Sequence, residues 1–268
     1  MTSSAPSDLL ATIISGTRKS TSVREGQHSI EELESIAGNR NPKGKMFRER
    51  LSRTETINVI AECKQRSPSK GLLSTNYDPV GLATEYENHG AAAVSVLTEP
   101  TFFDGSIEHL RGVSESVDIP VLCKDFIVSE YQLFEACVAG ADAVLLIVAA
   151  LDQKMLLQLL RRVELLGMAA LVEVHDLDEL ERAVRAEASI VGVNNRNLRT
   201  LEVVVETSER LIKDLPNSIV SVAESGLRDQ AGVLALRDIG YKGFLIGEAL
   251  MSSKSPGLAL SEFVLGTT

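Results

Sequence analysis

The sequence predicts an α/β fold, a (β/α)8 (TIM) barrel with an N-terminal helical extension, from three observations. Apolar, β-branched runs begin near Ile57, Ala93, Pro120, Asp142, Met168, Ser189, Ser218 and Lys242, each followed by a stretch of helical periodicity. Runs such as Ala143-Val144-Leu145-Leu146-Ile147-Val148 are apolar throughout rather than alternating, as parallel strands covered on both faces must be. Helix stops recur in register, with Gly90, Gly140, Gly167 and Gly240 each just past a helical stretch. Eight such units in about 210 residues favour closure into a barrel over a doubly wound open sheet.

The elements follow in order. Helical spacing runs from Asp8-Leu9-Leu10 to Ile13-Ile14, and Ser29-Ile30-Glu31-Glu32 reads as a capped helix start with early acids. Residues 39–45, with a proline and a glycine, read as a turn, and 46–53 as a further short helix. Residues 1–55 are thus expected to be a helical extension packed on a catalytic barrel of residues 56–268, in a single structural domain. In the barrel, helices are expected over 79–89, 106–116, 129–139, 152–166, 177–186, 202–214, 228–239 and 256–265.

Composition narrows the function. With 27 basic and 37 acidic residues the net charge is −10, which argues against a phosphate-backbone surface. The absence of Trp and 4% aromatic content leave little to stack on bases. No uncharged apolar run reaches about eighteen residues, so no membrane span is expected. The opening M-T-S-S-A-P-S-D lacks a basic segment leading an apolar core, so the expected location is the cytoplasm. Cys63, Cys123 and Cys137 fit no metal spacing and read as small buried hydrophobes. Neither a G-x-G-x-x-G nor a P-loop follows any strand, and no His/Cys cluster is present, so no cofactor and no metal are expected. His89 and His109 are expected on helix surfaces, and His175 as a secondary candidate beside Glu173.

In such a barrel the site lies at the carboxyl ends of the strands. Glu62 and Lys64 share one face of strand one, Lys124 ends strand three, and Glu173 interrupts an otherwise apolar strand five. Asn194 and Arg196 share a parity at the end of strand six, and strand seven ends on Glu224, Ser225 and Gly226. Two lysines, three carboxylates and an amide converging on one mouth call for a ligand, since burying that much charge is otherwise costly. The same parity turns Cys63 and Cys123 outward to the helices and disqualifies them as nucleophiles. Ser225-Gly226 with Gly247-Glu248 offer backbone N–H groups after strands seven and eight, where barrels commonly bind phosphate.

The motifs A-E-C-K-Q-R-S-P-S-K-G, V-L-T-E-P-T-F-F-D-G-S, P-V-L-C-K-D-F-I, L-V-E-V-H, V-G-V-N-N-R-N-L-R-T-L, A-E-S-G and F-L-I-G-E-A-L-M closely resemble the indole-3-glycerol phosphate synthase family. The resemblance runs in order from about Leu9 to the end. It implies a carboxy-lyase of tryptophan biosynthesis that closes, decarboxylates and dehydrates 1-(2-carboxyphenylamino)-1-deoxyribulose 5-phosphate. By resemblance, Lys124 is the general acid for ring closure, Lys64 binds anionic groups and donates in dehydration, and Glu173 is the general base. Glu62 and Glu224 hold the lysines, and Asn194 orients substrate hydroxyls. Ser67, Phe103, Arg196 and Leu198 match pocket positions, and Ser225, Gly226, Gly247 and Glu248 match the phosphate loop. Two residues depart from the pattern, Glu248 where many members carry Ser or Thr and Cys123 where Arg is common. A small phosphorylated substrate is the expected partner, with no nucleic acid and no membrane, and a monomer is expected with oligomers left open. The alternatives are a phosphoribosylanthranilate isomerase-like barrel, which would use Cys and Asp, and a non-catalytic phospholigand barrel.

Overall fold

The computed structural model describes residues 8–265; residues 1–7, which bear on the signal-peptide expectation, lie outside them. Three helices lead the chain: α1 (Leu9–Glu25), α2 (Ile30–Ala37) and α3 (Gly44–Leu51). Asp8 caps α1 by accepting from the Ala11 N–H, and Ser29 with Glu32 closes a reciprocal capping box on α2.

Eight strands follow: β1 (Asn58–Cys63), β2 (Ala93–Leu97), β3 (Val121–Lys124), β4 (Ala143–Ile147), β5 (Ala169–Val174), β6 (Ile190–Asn194), β7 (Val220–Glu224) and β8 (Gly243–Ile246). They form a closed barrel in which β1 pairs in parallel with both β2 and β8, Ile60 opposite Ala93 and Asn58 opposite Gly243. Between and after them run α4 (Pro79–Asn88), α5 (Pro100–Phe103), α6 (Ile107–Ser116), α7 (Glu130–Val138), α8 (Gln153–Leu165), α9 (Leu177–Arg185), α10 (Glu206–Leu211), α11 (Gln230–Asp238), α12 (Glu248–Met251) and α13 (Pro256–Leu265). Asp78, Asp152, Asp176 and Asp229 each cap the next helix through a backbone N–H of its first turn. The expected helix over 202–214 is shorter than its periodicity suggests. Arg196 and Val203 form an isolated antiparallel bridge that holds the preceding backbone extended, so α10 starts at Glu206 and tightens into a 3-10 turn over Ile212–Asp214.

Strand alternation divides the core in two. Val59, Cys63, Val94 and Cys123 pack outward against helix residues such as Tyr86 and Leu133. Ile60, Leu122, Leu145, Leu171, Val222 and Leu245 fill the interior. The extension closes this interior at both ends. Phe47 and Leu51 of α3 are wholly buried in the inner cluster, and α3 is tied to residues that precede strands. Arg50 donates to the Ala91 and Ala92 carbonyls, Arg48 to the Ser218 carbonyl, and Gly44 N–H to Gly167. Leu10 and Ile13 of α1 join the same cluster at the opposite, carboxyl-end mouth, beside Phe126 and Ile147. Among the described residues no helix is long and apolar enough to cross a membrane.

Candidate active site

A cavity of about 770 Å³ opens at the carboxyl ends of the strands. Its floor is a ring of ionisable groups that the two-residue strand period turns inward. Glu62 on β1 is the hub. Its Oε1 accepts from Lys64 Nζ in a short contact, and its Oε2 lies 3.5 Å from Lys124 Nζ at the end of β3. Lys124 Nζ also stands 3.7 Å from Glu224 Oε2 on β7. Both lysine side chains are only 15% exposed, so these are not solvent-screened surface pairs. Two glycines make the carboxylates fit: a Cβ at Gly192 on β6 would fall on Glu224 Oε1, and one at Gly247 on Glu62 Oε1.

Burial alone would drive each of these groups toward its neutral form. At Glu62 the ammonium groups of Lys64 and Lys124 outweigh burial and hold the carboxyl below the usual range. At Lys124 burial opposes the charge, but Glu62, Glu224 and Glu173 outweigh it and raise the ammonium's affinity for its proton. Glu173 and Glu224 part company. Burial pushes Glu173 up, but the His175 imidazole and Lys124 pull it well below the carboxylate range. At Glu224 burial and the Glu173 charge both push upward, to about 8, so Glu224 favours its protonated form where Glu173 is ionised. Glu224 makes no hydrogen bond within the described residues, which leaves its carboxyl free to face the cavity.

The walls come from the loops. After β1 the chain forms a small antiparallel hairpin, Arg66–Ser67 with Gly71–Leu72, and Ser67 Oγ accepts from the Lys70 N–H at 3.3 Å. Buried Glu99 caps α5 through the Thr101 and Phe102 N–H groups and so sets Phe103, whose ring lies 6.2 Å from that of Phe126. Asn194 Oδ1 accepts from the Arg196 N–H at 2.9 Å, and Leu198 lines the same wall. Ser225 and Gly226 occupy consecutive left-handed conformations at φ 63° and 81°, which bends the chain sharply after β7. Glu248 turns its carboxylate aside to meet Arg196 NH2 at 3.3 Å and Lys70 Nζ at 3.5 Å. Its position at the start of α12 nevertheless leaves backbone donors beside Gly247.

The structure brings every sequence-predicted site residue to this one cavity: all of Glu62, Lys64, Ser67, Phe103, Lys124, Glu173, Asn194, Arg196, Leu198, Glu224, Ser225, Gly226, Gly247 and Glu248 line it. Cys63 points out to the helices, as its parity demands, with burial pushing its thiol up and its Sγ near the Pro79 carbonyl. One histidine expectation differs from the structure. His109 is half-buried with its ring edge against Tyr77 at 5.4 Å, because α6 packs over the loop carrying Tyr77. His175 stands beside Glu173, as its strand parity suggested, with its Nε2 3.3 Å from Glu173 Oε1. Other residues are visible only in three dimensions. Leu9 and Ile13 of α1 line the cavity, so the extension forms part of its wall. Asn195 donates to the Ser225 carbonyl and accepts from Ser208, pinning the bend after β7. Asp125, pushed up by burial to about 6, accepts from Thr98 Oγ1 and the Phe126 N–H at the foot of the Phe126 wall. Among the described residues no group of three or more His, Cys, Asp or Glu is placed to hold a metal ion.

The family model described as indole-3-glycerol phosphate synthase matches residues 10–263. Indole-3-glycerol phosphate synthase 1 of Streptomyces coelicolor is 47% identical over 256 residues, covering 96% of this chain and 94% of its own. The indole-3-glycerol phosphate synthase of Parafrankia sp. is 48% identical over 260 residues, covering 97% and 96%. At low identity the barrel alone is shared: thiamine phosphate pyrophosphorylase from Pyrococcus furiosus superposes with a TM-score of 0.58 at 16% identity, covering 81% of this chain and 95% of that one.

Proposed function

The chain belongs to the indole-3-glycerol phosphate synthase family, and from that premise we propose which of its residues carry each step. The enzyme is a carboxy-lyase of tryptophan biosynthesis acting on a phosphorylated small molecule. Its substrate on this reading is 1-(2-carboxyphenylamino)-1-deoxyribulose 5-phosphate. Ring closure joins the carboxylate-bearing aromatic carbon to the ribulose ketone, and the ketone oxygen becomes a hydroxyl. Carbon dioxide then leaves and restores aromaticity, and the hydroxyl departs as water.

Lys124 is the proton donor for ring closure. The ionised Glu62 and Glu173 keep it charged at neutral pH, and a strong hold on the proton is no handicap. The oxygen it serves is turning into an alkoxide, a far stronger base than the ground-state carbonyl. Lys64, tethered to Glu62, meets the substrate's anionic groups and protonates the departing hydroxyl. Glu173, held ionised, is the base that removes the proton lost in forming the indole. Glu62 and Glu224 hold the lysines, and Asn194 orients hydroxyls. Ser67, Phe103, Arg196 and Leu198 enclose the aromatic and ribulose portions. Ser225, Gly226, Gly247 and the Glu248 N–H receive the phosphate, where an exposed Glu248 carboxylate would repel it were it not drawn off by Arg196 and Lys70.

One observation carries this reading: a buried Glu62–Lys124–Glu224 chain with Lys64 on its flank, all facing one cavity. An isomerase-like mechanism would need an inward cysteine, and Cys63 is sealed against α4. A barrel that only bound a phospholigand would gain nothing from so many desolvated charges away from the phosphate loop. Free, buried cysteines suit a reducing, cytoplasmic setting, and a monomer suffices because the cavity is complete within one chain. The test is ultraviolet detection of indole product from the carboxyphenylamino substrate without added metal or nucleotide. Failure to form indole would overturn the substrate assignment.

A further inference from the structure

We propose that His175 is a positioning residue for Glu173: clamped between two carboxylates, it holds the base in one orientation and keeps it ionised. The proposal rests on the reading of Glu173 as the general base. Its ground is the geometry just beyond β5. His175 Nε2 lies 3.3 Å from Glu173 Oε1, close enough for an ion pair though not aligned as a hydrogen bond. His175 Nδ1 stands 3.0 Å from Glu179 Oε2, and the same oxygen accepts the His175 backbone N–H at 2.8 Å. Glu179, one turn into α9, is itself fixed from behind, because its own N–H donates to the cap residue Asp176. Glu179 therefore grips His175 twice, and His175 presents its remaining ring nitrogen to the base. The Glu173 and Glu179 side chains are 1% and 15% exposed and that of His175 14%, so water competes little with this relay.

The charges bearing on the pair can be named. Glu179 from α9 and Glu173 from β5 face His175; Lys124 from β3 and Glu224 from β7 face Glu173. Burial alone would make His175 neutral, but the two carboxylates outweigh it and raise its pKa to about 10. A second cation, 3.3 Å from Glu173 Oε1, lets the carboxylate remain charged while Lys124 gives up its proton. Without it, Glu173 would sit beside Glu224 with only one cation, and burial would favour its protonated, inactive form.

The experiment compares His175→Leu, which removes both charge and donor, with His175→Gln, which keeps a donor without the charge. Glu173→Gln serves as the control on the underlying reading. If Glu173 is the base, Glu173→Gln loses about 10²–10⁴-fold in kcat; full activity there would overturn that reading independently of His175. For His175→Leu the expected result is a kcat about tenfold lower at pH 7 with KM within about threefold. The acid limb of the kcat profile should move upward by about one pH unit or more. His175→Gln should show the same displaced limb yet recover most of the wild-type kcat above it, since orientation survives and only charge is lost. Wild-type acid limbs in both variants would overturn the proposal, even if activity fell, because a purely structural histidine would lower kcat without moving that limb. Circular dichroism confirms that each variant is folded, and His175→Gln, near in shape and polarity, keeps the test decisive if His175→Leu is not.

Discussion

Replacing Lys124 by methionine removes one ammonium and keeps most of its volume. The nitrogen lies 3.5 Å from Glu62 Oε2 and 3.7 Å from Glu224 Oε2. At an effective dielectric near 20 the contact with the ionised Glu62 is worth about 4–5 kcal/mol of direct attraction. Little of that is net stability, because desolvation of the charges offsets it. Glu62 keeps its contact with Lys64, and Glu224 already favours its protonated form, so the loss of the cation is relieved in place. The folding cost should therefore fall below the about 3–5 kcal/mol of an unrelieved buried charge. The chemical cost is larger. A positioned proton donor contributes about 10²–10⁴-fold, and at about 1.4 kcal/mol per decade that is about 3–5.5 kcal/mol of barrier. Initial rates of indole formation at saturating substrate measure the loss, and calorimetric titration with indole-3-glycerol phosphate measures binding through the phosphate loop. We expect kcat to fall by at least about 10²-fold with product affinity within about threefold. A variant that keeps more than about a tenth of wild-type kcat would refute Lys124 as the acid, and a parallel collapse of product binding would mean that it is structural.

Three further outcomes follow from the same geometry. Gly192→Ala puts a methyl group on Glu224 Oε1 and should cost about 1–3 kcal/mol of stability, visible as a lower Tm, together with a reduced kcat; an unchanged Tm would mean that β6 and β7 can part without loss. Cys63→Ser should leave kcat within about twofold, because the thiol faces α4 and not the cavity; a large loss would restore the isomerase-like mechanism. Stability should decline as pH rises from about 6.5 to about 10: His175 binds its proton more tightly folded than unfolded, so its contribution is complete below 6.5 and lost as pH passes through 10. Glu224, also raised, works in the same direction, so thermal melts at pH 7 and pH 10 should differ more in wild type than in His175→Gln.

How much of this was readable in the residues depends on the range of the forces involved. Parity along a strand is covalent geometry, so the inward set Glu62, Lys64, Lys124 and Glu173 and the outward Cys63 and Cys123 could be placed without coordinates. The strand–helix alternation likewise located nearly every element. What the residues did not disclose depends on partners far away in sequence. Nothing near Arg196 announces its bridge to Val203, so the late start of α10 was hidden in a favourable helical pattern. The pairing of Glu248 with both Lys70 and Arg196 needs three loops to meet. His175 looked marginal because Glu179 belongs to the next helix, and only the turn between β5 and α9 folds it back onto the ring. The cavity-facing side of α1 was equally unreadable, since its apolar spacing says which side is buried and not against what.

The way α3 seals the base of the barrel has a consequence for how the chain comes to be folded. Arg48 of α3 reaches the Ser218 carbonyl across 170 positions, and Asn58 at the start of β1 reaches the Lys242 carbonyl across 184. Barrel closure itself waits for β8, since β1 has no second neighbour until then. The leading helices can meet Ala91, Ala92, Glu135 and Gly167 early, but part of the docking surface of α3 and the closing strand beside β1 come much later in the chain. Contacts so distant in sequence slow folding, and until they form the apolar face of α3 stays exposed to solvent and to other chains. The α3 seal should lock late, and variants weakening Phe47 or Leu51 should show themselves first as slower maturation and aggregation during synthesis, before any loss of turnover in molecules that have finished folding.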